Sequence, residues 1–218
     1  VCKGKEWLVY DVYPGHPLFG KIKRCDVCGQ GAQQAYLRKL CGLTGEALDW
    51  RFDEHTARNR TNAEVYDVAL LLAQQPQQFL TLLGGFGVGK TRFLSCIVNT
   101  GREAGYKSVY TTTARLLDHL RSTYDNGASL KYDAMWELFT DAKILAIDEF
   151  DRWNPTPWAR EKFEQLIDTR YQGKRDQLTV FAANAKVEDL PGYIASRMQD
   201  RSCYLFELTG QDVRRVVR

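Results

Sequence analysis

The sequence predicts an α/β fold, a five-stranded parallel sheet between helices, with a small cysteine-bearing module ahead of it. Three observations lead there. From about residue 62, short apolar runs alternate with stretches of helical periodicity, the pattern of a parallel sheet covered on both faces. One of those runs, FLTLL, passes directly into the glycine-rich segment GGFGVGKT at 84–91. Four of the six cysteines, Cys2, Cys25, Cys28 and Cys41, crowd into the first fifth of the chain. A chain of 218 residues can bury one full core and carry a small appendage, and the division is placed at 1–45 for the module and 46–218 for the main domain.

The module comes first. RCDVCGQG at 24–31 contains a CxxC step followed by glycine, the tight turn that lets two thiolates converge on one metal ion. The opening residues VCKGK repeat the second half of that pattern, so Cys2 reads as the second cysteine of another knuckle whose first cysteine stands before Val1. A start at valine is read accordingly as a processed or truncated piece of a longer polypeptide. Two knuckles joined by EWLVYDVYPGHPLFGKIKR would form a zinc ribbon, because so short a segment cannot bury enough core unaided. Cys2, Cys25 and Cys28 are then Zn²⁺ ligands with an upstream cysteine as the fourth, and Cys41 or His16 are the alternatives for that place. A CxxC without metal, or a redox pair, is the competing reading. Cys96 and Cys203 lie in apolar segments and are expected to be core residues.

The main domain opens with NAEVYDVALLLAQQ, which puts Val65, Ala69 and Leu72 along one side of a helix that Pro76 stops. FLTLL is a strand. GGFGVGKT satisfies GxxxxGK(S/T) with Gly84, Gly89, Lys90 and Thr91, enclosing Gly85, Phe86, Gly87 and Val88, and Arg92 follows in a helix faced by Phe93, Leu94 and Ile97. Such glycines let backbone amides face phosphates, the lysine neutralises the outer phosphates, and the threonine hydroxyl can ligate Mg²⁺. KSVYTT (107–112) is a second strand, followed by a helix over ARLLDHLRSTY with Leu116, Leu117 and Leu120 inward. KILAIDEF (143–150) is a third strand ending in acids, where Asp148 can hold the Mg²⁺ shell and Glu149 can polarise an attacking water. LTVFAAN (178–184) is a fourth, with Asn184 at its end aimed at the γ-phosphate, and CYLFEL (203–208) is a fifth.

Bulk properties exclude rather than identify. Lys+Arg of 30 against Asp+Glu of 27 gives +3, so nucleic-acid binding needs a local patch and not bulk charge. The longest apolar runs, VALLLA and ILAI, are far too short to span a membrane, and a soluble cytoplasmic protein is expected. A small-molecule kinase fits the length, but the arginines cluster late, in IASRMQDRS (194–202) and GQDVRRVVR (210–218), rather than in a lid over two bound nucleotides.

The order and wording of these segments, from RFDEHTARNRTNAEVYDVA through GGFGVGKT, GYKSVYTTTARLL, KILAIDEFD, TPWAREKFEQLIDTRY and VFAANAKVEDL to IASRMQDR, resemble the AAA+ ATPases of the DnaC-type replicative helicase loaders and the related IstB-type transposition ATPases. The resemblance runs from about Phe52 to Arg214. It implies a Walker A loop at Gly84 to Thr91, Walker B acids at Asp148 and Glu149, and Asn184 as sensor 1. It implies also an arginine finger at Arg201, with Arg197 second, and sensor 2 at Arg214 with Arg215 as its competitor. A finger reaches the γ-phosphate of a neighbouring subunit, so ATP hydrolysis would require self-association into a ring or spiral. The Asp-Glu pair, where many loaders have Asp-Asp, favours hydrolysis, and the short carboxyl end leaves little or no helical lid.

In this family the helix after the second strand faces a channel holding single-stranded DNA. The matching positions are Thr112, Thr113, Arg115, Arg121 and Tyr124, with Arg152 and Trp153 as a second cation-aromatic pair. The expected function is an ATPase switch that delivers a hexameric replicative helicase. An IstB-like regulator acting with a transposase on duplex DNA is the alternative, and a small-molecule kinase is third.

Overall fold

Residues 79–83, 144–147 and 178–183 are apolar with few exceptions and carry no charge, and a strand buried on both faces needs that composition. In the computed structural model, which describes residues 7–10, 12–24, 35, 38, 41–53, 63–124, 129–151, 156–190 and 192–210, they form the middle of one sheet. Its strands are β3 (Phe79–Gly84), β4 (Ser108–Thr112), β5 (Ile144–Asp148), β6 (Leu178–Ala183) and β7 (Tyr204–Leu208). Every pairing is parallel, and the order is β4-β5-β6-β3-β7. The five-stranded parallel sheet expected from the sequence is thus the one observed. Strands β5 and β6 are buried along their whole length, while β7, at the edge, is mostly half-exposed.

Alternate residues of each strand feed two cores. On one face Phe79, Leu83, Leu145, Ile147 and Phe181 pack with helices α3 (Thr113–Tyr124), α4 (Ser129–Thr140), α5 (Pro157–Gln172) and α6 (Gly192–Met198). On the other, Leu80, Leu82, Ala146, Val180 and Ala182 meet α1 (Ala63–Gln74) and α2 (Lys90–Glu103). The inward residues expected for α1, Val65, Ala69 and Leu72, are buried there. The start of helix α5 follows from its local residues. Thr156 caps it, its hydroxyl accepting from the Ala159 amide at 3.2 Å, and Pro157 fills the first turn, where its missing N–H costs nothing.

Cys41 and Leu43 precede the expected division at 45/46, yet both sit in the α1–α2 core. The Tyr110 amide on β4 donates to the Cys41 carbonyl at 2.7 Å. Gly42 between them has φ +72°, and a Cβ there would stand 2.1 Å from the Tyr110 carbonyl oxygen, so both backbone conformation and space require glycine. Ahead of this junction, β1 (Trp7–Val9) and β2 (Ile22–Arg24) form an antiparallel hairpin. Cys2, Cys25 and Cys28 lie outside the described residues, and so does any ribbon they complete. Among the described residues, no group of three or more His, Cys, Asp or Glu side chains is placed to hold a metal ion. The two alternative ligands are otherwise engaged. The Cys41 thiol is fully buried and donates to the Arg38 carbonyl at 3.0 Å, and His16 Nδ1 accepts from the Leu18 amide at 3.1 Å. Cys96 is a core residue as expected, whereas Cys203 is only half-buried.

Arg170 is a fully buried arginine in α5. Its guanidinium donates to the carbonyls of Phe139, Thr140, Ala142 and Leu178, at 2.8–3.1 Å, and to the Thr179 hydroxyl at 2.7 Å. These carbonyls lie at and just beyond the end of α4 and at the start of β6, so one side chain joins two regions that the chain separates by nearly forty residues. Burial pulls its pKa down to about 9, which leaves it charged at neutral pH. Removing it strands several buried carbonyls without a donor. Arg170→Ala should therefore cost about 3–5 kcal/mol in urea-induced unfolding; a loss under about 1 kcal/mol would show that the staple is dispensable.

Candidate active site

The carboxyl ends of β3, β5 and β6 meet at one edge of the sheet, and there the glycine-rich loop leaves β3 and enters α2. Gly84 has φ +138°, and a Cβ on it would come within 2.3 Å of the Leu208 carbonyl oxygen on β7. No larger residue allows the loop to start this close to its neighbouring strand. The first helical residue of α2 is Lys90, so the unpaired amides of the first turn open toward the loop, an arrangement that attracts phosphate.

Lys90 is buried, 7% exposed. Its Nζ donates to the carbonyls of Gly84 (2.7 Å) and Gly85 (2.6 Å) and to Asn184 Oδ1 (2.8 Å). These three acceptors are neutral, so an anionic phosphate oxygen competes well for the ammonium. The Lys90–Asn184 bond joins residues 94 positions apart, and it is possible because β6, which ends just before Asn184, lies directly beside β3. Asn184 is itself held, since its amide donates to Asp151 Oδ1 at 2.8 Å.

Asp148, 4% exposed, closes β5. Its Oδ2 accepts from the Thr91 hydroxyl at 2.7 Å and from the Tyr110 hydroxyl at 2.9 Å, and its Oδ1 accepts from the Glu149 amide at 2.8 Å. Burial first, and the adjacent carboxylate second, push the Tyr110 phenol well above its ordinary pKa. A hydroxyl and a carboxylate side by side are oxygen donors of the kind that a hard cation prefers, and Thr91 with Asp148 fits Mg²⁺. Glu149 has φ +52°, a conformation that costs a non-glycine residue on the order of 1 kcal/mol and recurs where geometry serves chemistry.

These residues line one cleft of ≈ 510 Å³ with Trp50, Phe86, Gly87, Gly89 and Arg92. Among the described residues its cations are Lys90 and Arg92, and Arg92 is engaged. It pairs with Asp53 at 3.1 Å and lies 5.5 Å from the centre of the Trp50 ring. The segment carrying Trp50 hangs on α2 through Asn99, which is fully buried and donates to the carbonyls of Ala47 (2.8 Å) and Trp50 (3.0 Å). Phe86, 58% exposed, stands at the loop tip.

The structure thus brings together Lys90, Thr91, Asp148, Glu149 and Asn184 as their order in the sequence suggested. The arginines divide. Arg197 on α6 is engaged within its own chain, paired with Asp168 at 3.3 Å and with its guanidinium 4.6 Å from the Tyr171 ring and 5.4 Å from the Tyr193 ring. Arg201 is exposed and has no hydrogen bond or ion pair among the described residues. Arg214 and Arg215, and likewise Arg152 and Trp153, lie outside the described residues.

On α3, Arg115 and Arg121 are exposed, Arg115 reaching the Gly42 carbonyl at 3.4 Å and Arg121 lying 5.2 Å from the Trp158 ring centre. Thr112 is half-buried, its hydroxyl accepting from the Arg115 amide, and Tyr124 ends the helix. Thr113 corrects the expectation made for it. It is fully buried, with its hydroxyl directed to the Asp148 carbonyl at 3.4 Å, so this side chain is not presented to nucleic acid. Two residues of the site escaped the sequence reading. Tyr110 looked like one more sheet residue, and Trp50 stood just ahead of the recognised segments; an unexplained aromatic next to Arg51-Phe52 was the only signal it gave.

A family model described as "IstB-like ATP binding protein" matches residues 35–190. Among solved structures, the DnaC helicase loader aligns at 17% identity over 76% of this chain and 100% of its own, with a TM-score of 0.64. DnaI aligns at 19% identity over 81% of this chain and 98% of its own, with a TM-score of 0.62. The replication initiator DnaA, bound to AMPPCP and single-stranded DNA, aligns at 16% identity over 69% of this chain, with a TM-score of 0.60. The chain spans about half the length of that DnaA structure, 47%. At these identities the likeness is one of fold, and the fold is that of an AAA+ P-loop domain. No curated protein sequence matches the chain. Among the described residues, no helix is long and apolar enough to cross a membrane.

Replacing Lys90, the cation that faces the loop among the described residues, should show directly in nucleotide affinity. Lys90→Ala should weaken binding of a fluorescent ATP analogue about 10- to 100-fold, the loss of a charge-assisted contact; an unchanged dissociation constant would mean that nucleotide binds elsewhere.

Proposed function

Because the chain belongs to the family of IstB-like ATP-binding proteins, we propose that it is an ATPase whose site is completed by a second copy of itself. In this reading the protein assembles on single-stranded DNA with ATP bound and delivers a hexameric replicative helicase. The observation that carries it is the charge inventory of the cleft. Among the described residues, Lys90 faces the loop, the other lining cation, Arg92, is committed to Asp53 and Trp50, and the acids Asp148 and Glu149 stand opposite. Transfer of a γ-phosphoryl group to water spreads negative charge over oxygens that a single lysine cannot neutralise alone, and a further cation is worth roughly 10³–10⁵ in rate. The missing charge would come from the neighbouring copy, with Arg201 as first candidate and Arg197 as second.

The division of labour follows from the geometry. Lys90 and the first-turn amides of α2 would grip the phosphates, and Thr91 with Asp148 would hold Mg²⁺, which supplies charge neutralisation of the phosphate oxygens. Glu149 would orient and deprotonate the attacking water, and Asn184 would report the γ-phosphate to β6. Trp50 and Phe86 offer aromatic faces for the adenine ring. Exposed Arg115 and Arg121 on α3, with Arg152 and Trp153, would track the DNA backbone, and Arg214 would complete the nucleotide site in the role of sensor 2. Zinc in the amino-terminal module belongs to the same reading on the strength of Cys2, Cys25 and Cys28, and would be measured as one metal ion per chain. The cytoplasm is the natural compartment for such a protein.

The IstB-like family match leaves room for a second reading, which we propose as the alternative: a regulator that works with a transposase on duplex DNA. Capture of a helicase rather than a transposase, and preference for single strands over duplex, separate the two.

Three variants test the switch. Glu149→Gln should retain ATP-dependent assembly while turnover falls about 10²–10⁴-fold, and Lys90→Ala should lose both. A mixture of Arg201→Ala and Lys90→Ala chains should regain turnover, because each supplies what the other lacks; no recovery with assembly intact would exclude Arg201, and Arg197→Ala is then put through the same mixture. Binding to a single-stranded oligonucleotide should weaken steeply as salt rises, in proportion to the phosphates contacted, and a salt-independent affinity would contradict backbone tracking.

A further inference from the structure

Filling space in the sheet does not require the Tyr110 hydroxyl. Tyr110 is the middle residue of β4, and a phenylalanine would fill the same space without an oxygen that must be desolvated and then satisfied. The hydroxyl is satisfied by one group, Asp148 Oδ2, at 2.9 Å. A carboxylate offers about four acceptor positions. Among the described residues three are taken, by the Glu149 amide, the Thr91 hydroxyl and the Tyr110 hydroxyl, which leaves one position for a metal-borne group. The tyrosine is also held from behind. Its amide is bonded to Cys41 at 2.7 Å, and Gly42 passes so close that a Cβ would stand 2.1 Å from its carbonyl oxygen.

From this juxtaposition we infer that Tyr110 is a positioning residue for the Mg²⁺ carboxylate. Its hydroxyl fixes the rotation of Asp148 so that Oδ2 stays turned toward Thr91 and the remaining acceptor position keeps one direction. The residue touches neither nucleotide nor metal; it acts through Asp148. The inference rests on the reading of Thr91 and Asp148 as the Mg²⁺ pair and adds to it a specific origin for metal affinity. It also gives the segment at Cys41 and Gly42, where the chain arrives from the amino-terminal module, a two-residue path to the metal carboxylate.

The test is Tyr110→Phe, read by binding of a fluorescent ATP analogue with EDTA and across a Mg²⁺ titration, alongside thermal unfolding. The variant should bind the analogue in EDTA as the wild type does and unfold at a similar temperature. The Mg²⁺ concentration for half-maximal tightening should rise about 5- to 10-fold, the equivalent of one ordinary hydrogen bond. An unchanged Mg²⁺ midpoint overturns the inference, and so does an equal loss of affinity with and without Mg²⁺, which would make Tyr110 a packing residue. If the wild type itself shows no Mg²⁺-dependent tightening, the metal reading of Thr91 and Asp148 fails first and this inference with it.

Discussion

The arrangement of this protein turns on one buried carboxylate. Asp148 is removed from water at the end of a fully buried strand, and an uncompensated carboxylate there would cost on the order of several kcal/mol. Compensation comes from three places at once: the first turn of α2 through Thr91, the edge strand β4 through Tyr110, and its own following amide. Each donor fixes an element. Thr112 pairs with Asp148 across β4 and β5, which puts Tyr110 on the same face two residues back. A slip of one residue would turn the hydroxyl to the opposite face and leave the carboxylate short of a donor.

Sheet order does the rest. Strand β6 lies between β3 and β5, so Asn184 emerges between the glycine-rich loop and the acids. Lys90 can then hold Asn184 and both opening carbonyls of the loop with a single ammonium group. The same edge of the sheet launches α3 directly after Thr112, so the helix with exposed Arg115 and Arg121 begins one residue beyond the strand that carries Tyr110's bond to Asp148. In the proposed reading, events at Asp148 and at the DNA-facing side of α3 are separated by a few residues of one strand.

Much of this could be read from sequence because the signals are local. A strand buried on both faces must be apolar almost throughout, and a phosphate loop must have its glycines, lysine and threonine in fixed order, so β3, β5 and β6 and the loop with Lys90 and Thr91 announced themselves, and Asp148 and Asn184 stood out as polar residues at the ends of two of those strands. What stayed hidden depends on contacts between distant residues. Asn99 looks like any polar helix residue until it is found to hold the Trp50 segment some fifty positions earlier. Arg170 looks like a solvated helix charge and is a staple for four carbonyls. Thr113 reads as a hydroxyl on a channel helix, but the turn from β4 into α3 swings it inward. Helix α4 passed unrecognised because its apolar residues, among them Met135, Trp136, Leu138 and Phe139, are spread around the helix instead of forming a clean stripe.

The central claim is that one copy of the chain holds ATP and another completes the site. ATP turnover per chain, measured over a hundredfold range of protein concentration with and without single-stranded DNA, tests it most directly. The account predicts a rate per chain that climbs with concentration and climbs sooner on DNA. A rate that is substantial and constant at the lowest concentrations, where the protein sediments as a monomer, would contradict it.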